Sequence, residues 1–220
     1  MKRKLLVLMA LAAFVAGGAF AQVQFSAGGG FVFDGGRLGG YNYDFGEESG
    51  SFRMNHFGFG GFVFLDATFA ELTIGLMGGP TRSTSEISFM GLSDGETYDG
   101  SFMAMDVSLL GKFPIHVGGG STVFPLLGFG YNLVLSASDE DGNDVFEGND
   151  QHSAADLSAF RIKLGVGGDF NLSQNVFFRA SLLGYYRFAS SFHNDMADLP
   201  DVESEGGFGG IVRLAIGFRF

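Results

Sequence analysis

The chain ends on "IVRLAIGFRF", residues 211–220. Val212, Leu214, Ile216, Phe218 and Phe220 are apolar at every second position, and Arg213 and Arg219 fall on the alternate set. A period of two is that of a β-strand, whose successive side chains leave opposite faces. A final aromatic on such a strand is unusual for a soluble domain, whose termini are mostly polar and frayed. One face of this strand meets something greasy and the other holds charge, and which of the two is inside decides the fold.

The same pattern runs back through the chain. Strand-like segments lie near 23–33, 53–65, 68–78, 101–112, 122–135, 156–169, 175–188 and 208–220, eight in all. One face carries residues such as Phe57, Phe59, Leu72, Ile74, Leu127, Phe129, Ile162 and Leu164. The opposite face carries Gln24, Ser26, His56, Glu71, Asp106, Asn132, Arg161, Lys163, Arg179, Arg187, Arg213 and Arg219 among many glycines. The connections alternate: 34–52, 79–100, 136–155 and 189–207 are long and polar, and those between them are short or more apolar. The long ones hold 19 of the 24 acidic residues, from Asp34 to Glu205, so an up-and-down arrangement gathers the acids at one end and both termini at the other. In the third, Asp139, Glu140, Asp141, Asp144, Glu147 and Asp150 form the densest acidic surface.

The first 21 residues read as a separate unit: Lys2, Arg3 and Lys4, then an apolar run from Leu5 to Val15, then Ala19-Phe20-Ala21 before Gln22. This is the pattern of a cleaved secretory signal with Ala19 and Ala21 at the cleavage site, which leaves 22–220 as the folded domain. Its removal leaves 10 basic against 24 acidic residues, a formal charge of −14 that disfavours nucleic acid as a partner. The absence of cysteine excludes disulfides, thiol catalysis and thiolate metal sites.

Alternation alone fits either a core or a lipid on the apolar side. The charged face breaks the tie, because a solvated face is rich in Lys, Glu and Thr, whereas this one is mostly Gly, Ala and Ser with a few charges. Small residues suit the crowded interior of an eight-stranded barrel. Segments of this length also match the ~9–11 residues with which a tilted strand crosses a bilayer. A sheet in lipid cannot leave open edges, so it closes on itself. The sequence therefore predicts an all-β, eight-stranded antiparallel up-and-down transmembrane β-barrel with long extracellular loops and short periplasmic turns. Phe220 and Phe218 are expected to face the membrane at the periplasmic rim beside Phe25.

The ending also resembles the C-terminal signal by which bacterial outer membrane barrels are recognised for assembly, carried here by Arg213, Ala215, Phe218 and Phe220, with alanine where glycine is usual. Together with the leader and eight strands, the whole chain resembles the small OmpA/OmpX/OmpW-like barrels. That resemblance implies the outer membrane of a diderm bacterium, with membrane lipid and the assembly machinery as partners.

Inside such a barrel Glu71 and Asp106 lie across the axis from Arg161, Lys163, Arg179, Arg187, Arg213 and Arg219, so a luminal charge network that plugs the barrel is expected. No cofactor is expected: "GFGGFV", "GFGYNL" and "GVGGDF" lack the helix and third small residue of a dinucleotide fingerprint. Asp139, Asp141 and Asn143 mimic the start of a calcium loop, but Asp144 occupies the glycine position. His56, His152 with Ser153, and His193 with Ser191 form no convincing catalytic set. The expected function is non-enzymatic: a surface structural role, or adhesion to an extracellular or host protein, through four acidic loops. The alternative is OmpW-like passage of small hydrophobic molecules, suggested by luminal Val32, Phe62, Phe64, Phe102, Phe124 and Leu126.

Overall fold

The computed structural model describes residues 23–89, 92–146, 153–190 and 202–220. Ala19, Ala21, Glu147 and Asp150 lie outside the described residues. Four long strands come first, β1 (Phe25–Asp44), β2 (Glu48–Ala67), β3 (Ala70–Phe89) and β4 (Leu92–Lys112). A short β5 (Ile115–Gly118) precedes β6 (Ser121–Asp139), and a single 3-10 turn at Ala154–Leu157 precedes β7 (Ala159–Asn171). The chain closes with β8 (Val176–Arg187), a short β9 (Val202–Glu205) and β10 (Gly207–Arg219). Eight strands form a ring in the order β1, β2, β3, β4, β6, β7, β8, β10, all antiparallel, with β10 returning to β1 from Arg219 opposite Ser26 to Gly209 opposite Gly36. β5 folds against the start of β6, and β9 against the far end of β1.

The parity of the sequence sets the two faces. Phe31, Val63, Leu127, Leu164 and Leu182 stand outward at 55–70% exposure, while the alternate residues of the same strands are buried. An apolar surface encircling the whole ring far exceeds the patches of a few hundred Å² that soluble monomers expose, and it is the lipid face of a transmembrane barrel. Phe25, Phe218 and Phe220 form its lower rim, where the Phe220 N–H donates to the Phe25 carbonyl at 3.1 Å.

The outer end differs from the expectation of four long loops. Most of the described part of 34–52 and 79–100 is strand rather than loop: β1 pairs β2 as far as Asp44 opposite Ser49, and β3 pairs β4 as far as Phe89 opposite Leu92. At ~3.3 Å per residue, these 20-residue strands reach about 66 Å, well past a hydrocarbon layer of ~30 Å even when tilted. The apolar alternation that marks a strand in lipid is absent there because water wets the outer face. Backbone pairing and strand-forming residues such as Tyr41, Tyr43, Thr81, Thr84 and Ile87 hold the extension instead. Within 136–155, β6 continues to Asp139 before the chain turns, and β7 begins at Ala159 rather than near 156.

Glycines on the inner face make room for aromatic rings. Gly28, Gly167 and Gly217 sit directly opposite Phe64, Phe124 and Phe177 on the neighbouring strands. A Cβ added at Gly167 or Gly217 would lie 2.3 Å from the facing ring. All three rings are almost wholly buried in one luminal cluster. Gly167→Val is expected to displace Phe124 and lower stability by about 1–3 kcal/mol, the usual cost of overpacking. The temperature at which the compact band is lost on unboiled gels measures this, and an unchanged transition would show that the ring had room to move.

Candidate functional site

The lumen is filled by ion pairs, most of which reach across it and one of which, Arg179 with Asp169, joins neighbouring strands. At the lower level Arg179 on β8 binds Asp169 through Nε at 2.6 Å and Glu71 through Nη1 at 2.5 Å, and its Nη2 lies 2.7 Å from Asp66. Lys112 also bonds Asp66 and lies over the Phe124 ring. In the middle, Lys163 donates to both oxygens of Asp106, at 2.6 and 2.8 Å, and to Ser108. Arg213 stands 3.5 Å from Glu71 and 3.7 Å from Asp106. At the upper level Arg161 binds Asp34 at 2.5 Å, and His56 Nε2 and the Tyr185 hydroxyl bond the other oxygen of Asp34 at 3.2 and 2.9 Å.

Six of the eight residues expected in this lattice meet an opposite charge, and two do not. Arg187 is fully buried and, among the described residues, reaches the Leu157 carbonyl rather than a carboxylate. Arg219 lies at the lower rim against Asn171 and the Phe177 ring. Asp34, Asp66, Asp169, Lys112 and Tyr185 were not anticipated as members. Asp34 was assigned to an acidic loop and is instead completely buried. The signal was present in its parity, because Asp34 continues the inward series Ser26, Gly28, Gly30, Val32.

Above this plug the lumen opens into an apolar cup of about 290 Å³. Leu38, Phe52, Met54, Phe102, Val134 and Leu157 contribute to its wall. The connection after β6 folds over one side. Val145 N–H donates to the Ala137 carbonyl at 3.0 Å, and the 3-10 turn, capped by the Ser153 and Asp156 pair, buries Leu157 and Ala154 against Val134 and Ala137. Of the six luminal hydrophobes proposed to line a passage, Phe102 reaches the cup. Val32, Phe62, Phe64, Phe124 and Leu126 pack with it into one cluster that runs down the lumen.

Beside the cup the β2–β3 ladder loses two rungs. It pairs His56 with Thr81 and Phe59 with Gly78 and skips the two positions between, where Pro80 has no N–H to donate, while the strands stay in register and close together, a Cβ on Gly79 falling 2.2 Å from the Phe57 carbonyl oxygen. A groove of about 500 Å³ lies at this gap, lined by His56, Phe57, Pro80 and the outward ion pair of Arg82 with Asp99. Thr81 and Asp99 line both groove and cup.

The acids outside the barrel are solvated. Asp139, Glu140, Asp141 and Asp144 are exposed. The Asp139 carboxylate folds onto its own turn, accepting from the backbone N–H groups of Asn143 at 2.8 Å and Asp141 at 3.0 Å, bonds that hold it below the usual carboxylate range. No group of three metal-ligating side chains occurs among the described residues. Among the catalytic candidates, His56 is committed to Asp34, while His152, His193 and Ser191 lie outside the described residues.

No family model and no curated protein matches the chain. Among solved structures it is similar to the outer membrane protein OprG of Pseudomonas aeruginosa, at 11% identity and a TM-score of 0.46 over 90% of this chain and 96% of that one. It is also similar to Ail, the attachment invasion locus protein of Yersinia pestis (18%, 0.37, 89% and 99%), and to the outer membrane protease OmpT of Escherichia coli (8%, 0.40, 90% and 97%). These likenesses concern the barrel architecture and say nothing of ligand or reaction.

Removing one partner of a buried ion pair leaves the other uncompensated, at a typical cost of ~3–5 kcal/mol. Asp106→Ala and Asp34→Ala are therefore expected to lower the urea unfolding midpoint in detergent clearly. Asp94→Ala, on the exposed outer hairpin, is expected to shift stability by no more than about 0.5 kcal/mol. Equal midpoints for the three variants would mean that the lattice contributes nothing to stability.

Proposed function

We propose that the protein is a non-enzymatic outer membrane barrel that accepts small apolar molecules from the outside in its cup and releases them sideways into the membrane. The observation that carries this reading is an apolar cup lying directly above a lumen closed by ion pairs. A volume of about 290 Å³ lies at the lower end of the ~300–1,000 Å³ range of small-molecule pockets. The plug leaves no path down the axis for an apolar solute, because such a path crosses several buried charges. The missing rungs at Pro80 mark where the wall parts most readily: the site adjoins the cup through Thr81 and lies beside the outward Phe57, at the upper edge of the lipid belt, so β2 and β3 separate there to release a solute. The leader pattern, the edge-free ring and the aromatic lower rim support placement in the outer membrane of a diderm bacterium. Lipid would then surround the belt, and the assembly machinery would read the last strand.

The exposed carboxylates Glu86, Asp94 and Glu96 on the rigid β3–β4 extension favour a second reading, in which this surface docks a basic extracellular protein. Loss of that docking on replacing the three with glutamine, with solute binding unchanged, would separate the two roles.

The first reading is tested with a neutral fluorescent probe, N-phenylnaphthylamine, and protein reconstituted in lipid vesicles. Val134→Trp fills the cup and is expected to abolish saturable binding. The chain has no cysteine of its own, so a Phe57→Cys, Pro80→Cys pair can staple β2 to β3. Oxidation of that pair is expected to leave binding intact and to slow delivery into the bilayer at least about tenfold, with recovery on reduction. Delivery that ignores the staple would rule out the wall as the exit.

A further inference from the structure

Among the described residues, charge in the buried lumen does not balance. Lys112, Arg161, Lys163, Arg179, Arg187 and Arg213 are buried there against the carboxylates of Asp34, Asp66, Glu71, Asp106 and Asp169, six cations to five anions. The excess has an address. Arg187 is fully buried, and among the described residues no carboxylate lies within ion-pair distance of it, whereas each of the other five cations has at least one. Its neighbour across the β7–β8 ladder is Arg161, so two guanidinium groups stand side by side, and the nearby carboxylates, Asp34 at 2.5 Å and Asp106 at 3.9 Å, belong to Arg161. Burying a lone cation is costly, and placing a second beside it more so, unless an anion joins them.

Unused hydrogen-bonding groups gather at the same level. Arg187 Nε and Nη1, Arg161 Nε and Nη2, and both polar atoms of the Asn132 side chain are buried without a partner. Asn132 is on β6, two residues along the inner face from Gly130, which stands opposite Arg161, and two residues below Val134 of the cup wall. The one bond Arg187 makes goes to the carbonyl of Leu157, another cup residue. The layer behind Val134 and Leu157 of the cup, itself outside the lining of the cavity, is thus a buried set of donors in which Arg187 meets no carboxylate among the described residues.

We propose that the cup selects apolar molecules bearing a single carboxylate, taken head down. The hydrocarbon part lies against Phe102, Val134 and Leu157, and the carboxylate reaches past Leu157, replacing its carbonyl on Arg187, to join that guanidinium and the Asn132 amide in the layer behind the cup. This assignment rests on the cup being a solute site and names the class of solute. A planar carboxylate matches the paired N–H groups of a guanidinium, and charge-assisted bonds of this kind are about twice as strong as neutral ones. A neutral hydrocarbon gains the wall of the cup but leaves the floor unpaired, so the site discriminates by the head rather than by the chain.

The test is displacement of N-phenylnaphthylamine from full-length protein in maltoside micelles by decanoate, decanol and methyl decanoate, with Val134→Trp as the baseline for partition into detergent. Decanoate is expected to compete at least about tenfold better than either neutral compound. Arg187→Gln is expected to erase that advantage while leaving decanol unchanged. Equal competition by all three compounds on the native protein overturns the carboxylate assignment and leaves the apolar cup standing. Failure of the probe itself to bind overturns the cup as a solute site. Should Arg187→Gln give no compact band on unboiled gels, the comparison of the three compounds on the native protein decides alone. Water or inorganic anion as the true occupant of the floor predicts that same equality, and so also counts against the proposal.

Discussion

One guanidinium ties four strands together. Arg179 on β8 lies within 2.7 Å of carboxylates from β2, β3 and β7, namely Asp66, Glu71 and Asp169. The net gain from such a cluster is modest, since the desolvation of buried ions offsets much of their attraction. Its larger effect is on register. A slip of one residue in any strand moves every side chain to the other face, which would place these charges in hydrocarbon and the phenylalanines in a charged lumen. The lattice therefore fixes which face points inward, and the lipid belt, the plug and the cup above it all depend on that choice.

Closure of the ring then sets how the lumen is packed. Eight strands leave space for side chains and little else. Phe64, Phe124 and Phe177 occupy that space by lying over Gly28, Gly167 and Gly217 on adjacent strands, and the Arg179 guanidinium lies 4.4, 5.4 and 5.1 Å from the centres of the same three rings. Ion pairs and aromatic rings thus share one layer, each shielding the other from water. That is the physical reason the high glycine content does not weaken the barrel: glycine supplies volume where a neighbouring ring needs it.

Much of this was legible in the chain. The period of two assigned the faces of all eight strands, and the company of charges with glycine identified the inner one. What the sequence hid was the extent of the strands. Residues 34–52 and 79–100 read as loops because a strand above the membrane has lost the lipid that enforces greasy alternation. Asp34 was misplaced for the same reason: an acid at the edge of an apolar run looks like the start of a loop, although its parity was inward. Asp66 escaped notice beside a tight turn. The cup was the least legible, since its wall is assembled from the upper ends of five strands and from a connection, around Phe146 and Leu157, with no periodic signature of its own.

The cup owes its existence to a reversal of polarity along the strands. Through the membrane, apolar residues face out and charge faces in. Above the belt, Arg37, Arg53 and the Arg82–Asp99 pair turn outward, while Leu38, Phe52, Met54 and Phe102 turn inward toward the cup. The change falls where the surrounding solvent changes from hydrocarbon to water, and the upper storey adopts the arrangement of a soluble barrel, apolar inside. An apolar interior that is not fully packed by its own side chains loses contacts on one side of every lining group. The connection after β6 covers part of that deficit with Leu157, and the proposed apolar solute would supply the remainder. The same inversion leaves Arg187 at the boundary between the two storeys, below an apolar wall and above the last paired carboxylates, where an amphiphile with one anionic head satisfies both neighbours at once.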